Sequence, residues 1–311
     1  MADTLGTPEL AALAALEETK RRGRRRAFWR GALVAGVVVG LIAAALSAVG
    51  ALPRGPHIAR LSVSQVIVSN PARETLVADL AEDDTVRALV LHIDSPGGTV
   101  VASEALYLGL RDVAASKPLV VVMGGVAASG GYMAALAGEH VFARGNTITG
   151  SIGVILEYVT VSGLMDRLGL SVETIRSSDL KAGPSPLRPL TPEARAAEAA
   201  VVDDTYAWFS GLVAERRGLA GDALDRVADG RTFTGRMAEE AGLVDAIGGE
   251  AEALVWLRAE YPELEDLPVE TWEVPSRETG VLPFLARLTG LGPALPKTLI
   301  PDGPRLMSIL R

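Results

Sequence analysis

Apolar residues run through this chain in two rhythms. Blocks of consecutive aliphatic residues, such as Thr85–Asp94 (TVRALVLHID) and Lys117–Gly125 (KPLVVVMGG), alternate with segments of helical period, such as Thr99–Ser116 (TVVASEALYLGLRDVAAS). Strands with so little alternation are those buried on both faces, as in a parallel sheet covered by helices. His57–Ser69 (HIARLSVSQVIVS) is β-branched and partly alternating and predicts an earlier strand. Glu139–Gly145, Ile148–Tyr158 and Leu170–Ser177 predict further strands, with a short helix at Val161–Gly169. Thr191–Gly218 predicts a long amphipathic helix with Thr191 as N-cap and Pro192 at its first position. Strand, turn, helix and strand repeating in this order predict an α/β domain with parallel strands. Between them Ser177–Leu190 (SSDLKAGPSPLRPL), with three Pro and one Gly, predicts an irregular loop.

One apolar stretch has neither rhythm. Gly31–Leu52 (GALVAGVVVGLIAAALSAVGAL) is 22 residues without a charge, long enough to cross a bilayer. Lys20–Arg30 (KRRGRRRAFWR) precedes it with seven basic residues, while only Arg54 and Arg60 follow closely. The positive-inside rule then leaves residues 1–30 in the cytoplasm and the body outside it. A cleaved signal peptide has a shorter apolar region behind a shorter charged start, so the span reads as an uncleaved anchor.

Charge and composition narrow the chemistry. The net charge is −8, and with the basic run set aside the body is acidic, which argues against nucleic acid as a partner. There is no Cys, so thiol nucleophiles, disulfides and Cys-based metal sites are excluded. Three His allow no His-rich metal cluster, and no cofactor is implied.

The candidate nucleophile lies in Gly124–Gly138 (GGVAASGGYMAALAG), where Ser129 stands among Gly, Ala and Val. Such a stretch also suits a helix packing seam, with the serine bonded to its own helix. A serine attacks only beside a base. His57 sits in a turn just past the apolar span, His92 lies within a strand and His140 starts another, and none has an evident carboxylate to orient it. Lysine serves if its amine is neutral. Of 30 Lys and Arg only Lys20, Lys117, Lys181 and Lys297 are Lys, and a site that must deprotonate cannot use Arg. Lys181 sits in the Pro/Gly loop, with Asp179 two residues away as an opposing influence on its pKa.

Four motifs in order carry a resemblance. DSPGGTVVASEALY, VAASGGYMAALAGEHVFARGNTITGSIGVI, DLKAGPSPLRPLT and ADGRTFTGRMAEEAGLVDAIGG resemble the signal peptide peptidase A family, membrane-anchored bacterial serine peptidases with a Ser–Lys dyad. The resemblance spans roughly residues 60 to 250 and is to the short, single-copy form. It implies a Clp protease/crotonase-like ββα spiral domain preceded by one transmembrane helix. It also implies Ser129 as nucleophile, Lys181 as general base and Ser151 as the hydroxyl that bonds the lysine amine. Gly98 of the Gly97-Gly98 pair and the Gly130 amide would bind the oxyanion. Tyr132, Asp94 and Arg188 match family positions without an assigned chemistry. Before Lys181 the chain reads SSDL, where the family more often has a Gly and an aromatic.

The organisation expected is a basic tail (1–30), an anchor (31–52), a peptidase domain (53–259) and a C-terminal tail of unassigned role (260–311). The expected activity is hydrolysis of remnant signal peptides and similar apolar segments on the outer side of a bacterial inner membrane. The expected assembly is a homo-oligomeric ring. Two alternatives are a non-catalytic membrane scaffold and a crotonase-like acyl-CoA enzyme, since a fold does not fix a function.

Overall fold

A computed structural model describes residues 55–275 and, before them, Trp29, Gly31, Leu33, Gly36 and Val37, which are helical. Contacts divide the chain into Arg54–Pro275 and a second unit formed by Met1–Pro53 with Ser276–Arg311. The expected span Gly31–Leu52, apart from those four of its residues, lies outside the described residues, as does the tail beyond 275. Among the described residues no helix is long and apolar enough to cross a membrane.

Within Arg54–Pro275 the order is β1 (His57–Ser64), α1 (Pro71–Glu82), β2 (Val86–Ser95), α2 (Val100–Ser116), β3 (Leu119–Ala128), α3 (Gly130–Ala135), β4 (His140–Ala143) and β5 (Ile148–Gly150). There follow α4 (Ser162–Arg167), α5 (Pro192–Arg217), α6 (Asp222–Val227), β6 (Thr232–Thr234), α7 (Gly235–Glu240), β7 (Ala246–Ile247), α8 (Glu250–Glu260), a 3-10 turn (Pro262–Leu264) and β8 (Val269–Trp272). The strands form one sheet in the order β6-β5-β3-β2-β1-β8, with β4 joined to β3 and β7 to β4. All pairs are parallel except β5 with β6, so the expected parallel α/β sheet is mixed.

The apolar runs decide this arrangement. Leu89, Val90, Leu91 and Ile93 of β2 and Leu119–Val121 of β3 are buried, with one set of side chains on each face. One face packs against α1, α2, α3 and α5 through Val77, Leu80, Leu106, Leu110 and Phe209. The other packs against α8 through Ile58, Val90, Val120, Phe142 and Leu257. Each such aliphatic or aromatic side chain contributes roughly 1.5–3 kcal/mol when fully buried.

β3 serves two neighbours in turn. Val120–Met123 pair with β4 and Val126–Ala128 with β5. At the fork β2 and β3 slip register between Ile93 and Ser95, and Asp94 Oδ1 accepts a hydrogen bond from the Val126 amide at 3.0 Å. α5 starts as its sequence dictates: Pro192 is first in the helix, Thr191 Oγ1 accepts from the Ala194 amide at 3.2 Å, and Gly218 closes it with φ 65°.

Two strand expectations are corrected. Ile148–Tyr158 is a strand only to Gly150, because Gly150 (φ 77°) and Ser151 (φ 52°) turn the backbone away from extension. Leu170–Ser177 is irregular and almost wholly exposed; its β-branched residues find no strand to pair with among the described residues. The sheet also takes in Val269–Trp272, which pair with Ile58–Leu61.

Candidate active site

Ser129 occupies the junction of β3 and α3 with φ 51° and ψ −119°, a backbone conformation that costs a non-glycine residue of order 1–3 kcal/mol. Two bonds hold it there. Its amide donates to the Gly150 carbonyl at 2.8 Å, and its carbonyl accepts from the Met133 amide at 2.9 Å. The Ser129 hydroxyl bonds no described residue and is left for chemistry.

The small residues around it are required by close approach. A Cβ on Gly130 would stand 2.1 Å from Ser103 Oγ, and one on Gly131 would stand 2.6 Å from the Ser95 carbonyl oxygen. Gly97 has φ 102°, and a Cβ there would meet the Gly130 nitrogen at 2.8 Å. A Cβ on Gly98 would lie 1.8 Å from the Ile67 carbonyl oxygen. That carbonyl accepts from the Thr99 amide at 3.0 Å, and the Ile67 amide donates to Gly97 O at 2.8 Å. The Gly97-Gly98 turn is thereby clamped beside α3. Neither the Gly98 nor the Gly130 amide donates to another described backbone group, so both are available to an oxyanion next to Ser129.

The far end of α3 is anchored too. Arg216 of α5 donates to the carbonyls of Leu136 (2.8 Å) and Gly138 (3.1 Å), and Arg111 of α2 donates to Ala137 (3.1 Å). Tyr132 is fully buried and its hydroxyl donates to the Leu243 carbonyl at 2.9 Å, so this residue is structural. Burial pushes its phenol well above the ordinary range.

Ser129 opens into a cavity of about 630 Å³. Gly98 and Ser151 line it together with Ser129, so three of the expected site residues converge. Gly97 and Gly130 adjoin them through the contacts above. Lys181 does not join: it is exposed on the 177–190 loop and is absent from the cavity lining. Ala182 beside it has φ 55°, and its carbonyl accepts from Arg188 at 3.3 Å. Among the described residues the Lys181 amine forms no ion pair, with Asp179 or any other carboxylate.

No histidine lines the cavity. His57 is buried and accepts from the Trp272 indole at 3.0 Å, His92 lies 3.0 Å from Glu250, and His140 stacks on Trp256 at 4.4 Å. Among the described residues no group of His, Asp and Glu suits a metal ion.

Sequence reasoning missed one wall. Val202, Asp203 and Tyr206 of α5 line the cavity together with Ile152–Ile155, Ala228, Asp229 and Gly230. The only signal in the sequence was the spacing of 202, 203 and 206 along one helix face. Tyr206 fastens that wall by donating to the Ala228 carbonyl at 2.8 Å. Arg231 donates to Asp229 at 2.8 Å and holds that carboxyl below the usual carboxylate range.

Comparisons with known proteins follow the same lines. The model of "Peptidase family S49" matches residues 111–262, and that of "Clp protease" matches residues 58–147. A putative protease of Synechocystis sp. is 38% identical over 237 residues, covering 75% of this chain and 83% of that protein. The putative signal peptide peptidase SppA of Enterococcus faecium is 34% identical over 60% of this chain and 54% of its own length. The chloroplastic serine protease SPPA of Arabidopsis thaliana is 35% identical over 57% of this chain, which spans only 26% of that longer protein.

Proposed function

The chain belongs to peptidase family S49, the signal peptide peptidase A family, and is a serine protease with a Clp protease-like α/β fold; we propose that it is a membrane-anchored endopeptidase that cleaves remnant signal peptides and other apolar segments outside the cytoplasm. The observation that carries this reading is Ser129, held at positive φ with a free hydroxyl beside the Gly98 and Gly130 amides. Membership of the family favours proteolysis over the scaffold and acyl-CoA alternatives.

In this mechanism Ser129 Oγ attacks the scissile carbonyl while its proton passes to the neutral Lys181 amine. The oxyanion is met by the Gly98 and Gly130 amides, and loss of one such donor costs about 3–4 kcal/mol of transition-state stabilisation. Lys181 then gives the proton to the leaving amine, and the acyl-serine is hydrolysed by a water that Lys181 deprotonates. Ser151, in the same cavity, bonds the amine and aims it.

Lys181 reaches the cavity from a second copy of the chain. Its loop is exposed, and the residues leading to it carry bare apolar side chains, among them Ile155 (86% exposed) and Ile175 (104%), with Leu164, Leu168 and Leu170 between them. A head-to-tail ring would cover these and set each Lys181 against a neighbour's Ser129. The uncharged Gly31–Leu52 span would tether the ring where apolar fragments are left behind.

The test uses the full chain in detergent with an apolar peptide. Ser129→Ala and Lys181→Ala should each abolish cleavage, and mixed rings at equal amounts should recover roughly a quarter of the sites, about ½ × ½ for head-to-tail pairing. Full turnover by Ser129→Ala would end the nucleophile assignment. Verified mixed rings without recovery would place the dyad within one chain and leave the protease intact.

A further inference from the structure

The Ser129 cavity is asymmetric in charge. Its lining holds two carboxylates, Asp203 and Asp229, and among the described residues no Lys, Arg or His. The two acids differ in state. Asp229 is neutralised by Arg231, whose Nε lies 2.8 Å from both carboxylate oxygens. Asp203 is exposed on α5 and has neither an ion pair nor a hydrogen bond from its side chain to any described residue. The helix that carries it is anchored nearby. Asp203 lies between Val202 and Tyr206 on the wall, and the Tyr206 hydroxyl ties that part of α5 to the Ala228 carbonyl.

Ile152, Val154 and Val202 add apolar surface to the lining, which suits apolar side chains. A peptide reaching Ser129 therefore meets apolar surface interrupted by one uncompensated negative charge. Building on the protease reading above, we propose that Asp203 is a specificity determinant that selects substrates with a cationic group a few residues from the scissile bond. The substrate class is then an apolar segment carrying a Lys or Arg side chain, or a free amino terminus, at one fixed distance from the cut. The opposite arrangement, an acidic residue at that place, is disfavoured by the same charge. Asp203 touches the substrate without taking part in bond making.

Its effect follows from Coulomb's law. Two unit charges about 6 Å apart in a water-like medium interact by less than 1 kcal/mol, so exchanging a positive for a negative substrate group changes kcat/KM by roughly tenfold. The change belongs in KM, because the charge is met equally in ground and transition states. Salt weakens it, as the carboxylate is solvated.

The experiment is a scan of matched peptides in which one residue at a time, on either side of the cut, is Lys, Gln or Glu. A second set differs only in acetylation of the amino terminus, which separates an amine from a side chain. Wild type, Asp203→Asn and Asp203→Lys are compared in the full chain, with assembly size and the pH profile of kcat/KM recorded. The expected result is one position where Lys exceeds Glu by roughly tenfold in the wild type. That preference, read as the Lys-to-Glu ratio within each variant, should fall to about threefold or less in Asp203→Asn and reverse in Asp203→Lys. Cleavage without a charge preference, or a preference that survives Asp203→Asn, overturns the proposal and leaves the protease reading standing. An equal loss on all peptides with a smaller assembly would assign Asp203 to the subunit interface, and an equal shift of the pH profile would assign it to the lysine. Either outcome overturns the proposal too. If the wild type cleaves no peptide of the series, both it and the protease reading fall.

Discussion

The Ser129 amide donates to the Gly150 carbonyl at 2.8 Å, so the residue before Ser151 is a direct backbone partner of the proposed nucleophile. Ser151 is fixed in turn by its own amide, which donates to the Arg231 carbonyl at 2.8 Å. Both serines have positive φ and line one cavity, although 21 positions separate them. The coupling runs through main chain, which separates the role of the Ser151 hydroxyl from that of its backbone.

Ser151→Ala keeps both backbone bonds and removes the hydroxyl alone. Thermal unfolding should stay within about 2 °C of wild type, while kcat falls about tenfold to a hundredfold, the worth of one hydrogen bond to the base. Unchanged kcat in a folded Ser151→Ala enzyme would remove Ser151 from the chemistry.

Gly98→Ala and Gly130→Ala test the close packing of the two proposed amide donors. At Gly98 the new methyl meets the Ile67 carbonyl at 1.8 Å, and backbone must move. The expected cost is about 1–3 kcal/mol of stability and, with the amide displaced, about a hundredfold in kcat. At Gly130 the obstruction is the Ser103 side chain, at 2.1 Å for Oγ and 2.9 Å for Cβ. Ser103→Gly should therefore restore much of the activity of Gly130→Ala and none of that of Gly98→Ala. Equal rescue of both, measured by kcat and melting temperature, would show that the obstruction at Gly98 is misplaced.

These two glycine pairs show what could be read in the chain and why. SPGG and ASGG are short because the constraints on them are local, a sharp strand-to-helix turn with no room for a Cβ, and local constraints leave their mark in sequence. The continuous apolar runs of β2 and β3 were legible for the same reason, since burial on both faces forbids alternation. Leu170–Ser177 misled because β-branched residues favour a strand only where another strand offers its edge. The α5 wall was hidden because Val202, Asp203 and Tyr206 reach the serine only after 72 or more intervening positions of chain have folded. The sequence marked Lys181 by its chemistry and set it in a Pro/Gly loop poorly suited to holding its own shape, and the folded chain leaves that lysine outside its own cavity.

Asp245 and Arg217 provide a stability probe remote from catalysis. Burial works against ionisation of Asp245, but two hydrogen bonds from Arg217 (2.9 and 3.0 Å) and one from the Val141 amide (2.8 Å) hold its carboxyl below the usual carboxylate range. Because the folded-state pKa is depressed, the stabilisation is present above the unfolded value near 3.9 and is lost as pH falls through the folded one. Arg217→Ala should lower stability at pH 7 by about 2 kcal/mol, or roughly 4–8 °C for a unit of this size. Asp245→Asn should flatten the acid side of the melting-temperature curve. A curve of unchanged slope below about pH 4 in Asp245→Asn would show that other carboxylates govern acid unfolding.

β8 lies beside β1 and runs parallel to it over only four residue pairs, Ile58 with Val269 through Leu61 with Trp272. The compact unit thus begins and ends on neighbouring strands that point the same way. Tension drawn between its two ends acts along those strands, and their ladder bonds share the load at once instead of opening one after another. The seam is a mechanical clamp in shear, set where the chain would be pulled if one end were tethered and the other engaged. In single-molecule stretching, residues 55–275 held at their ends should give way abruptly in one event, and a proline at Ala59 or Glu270 should lower that force sharply.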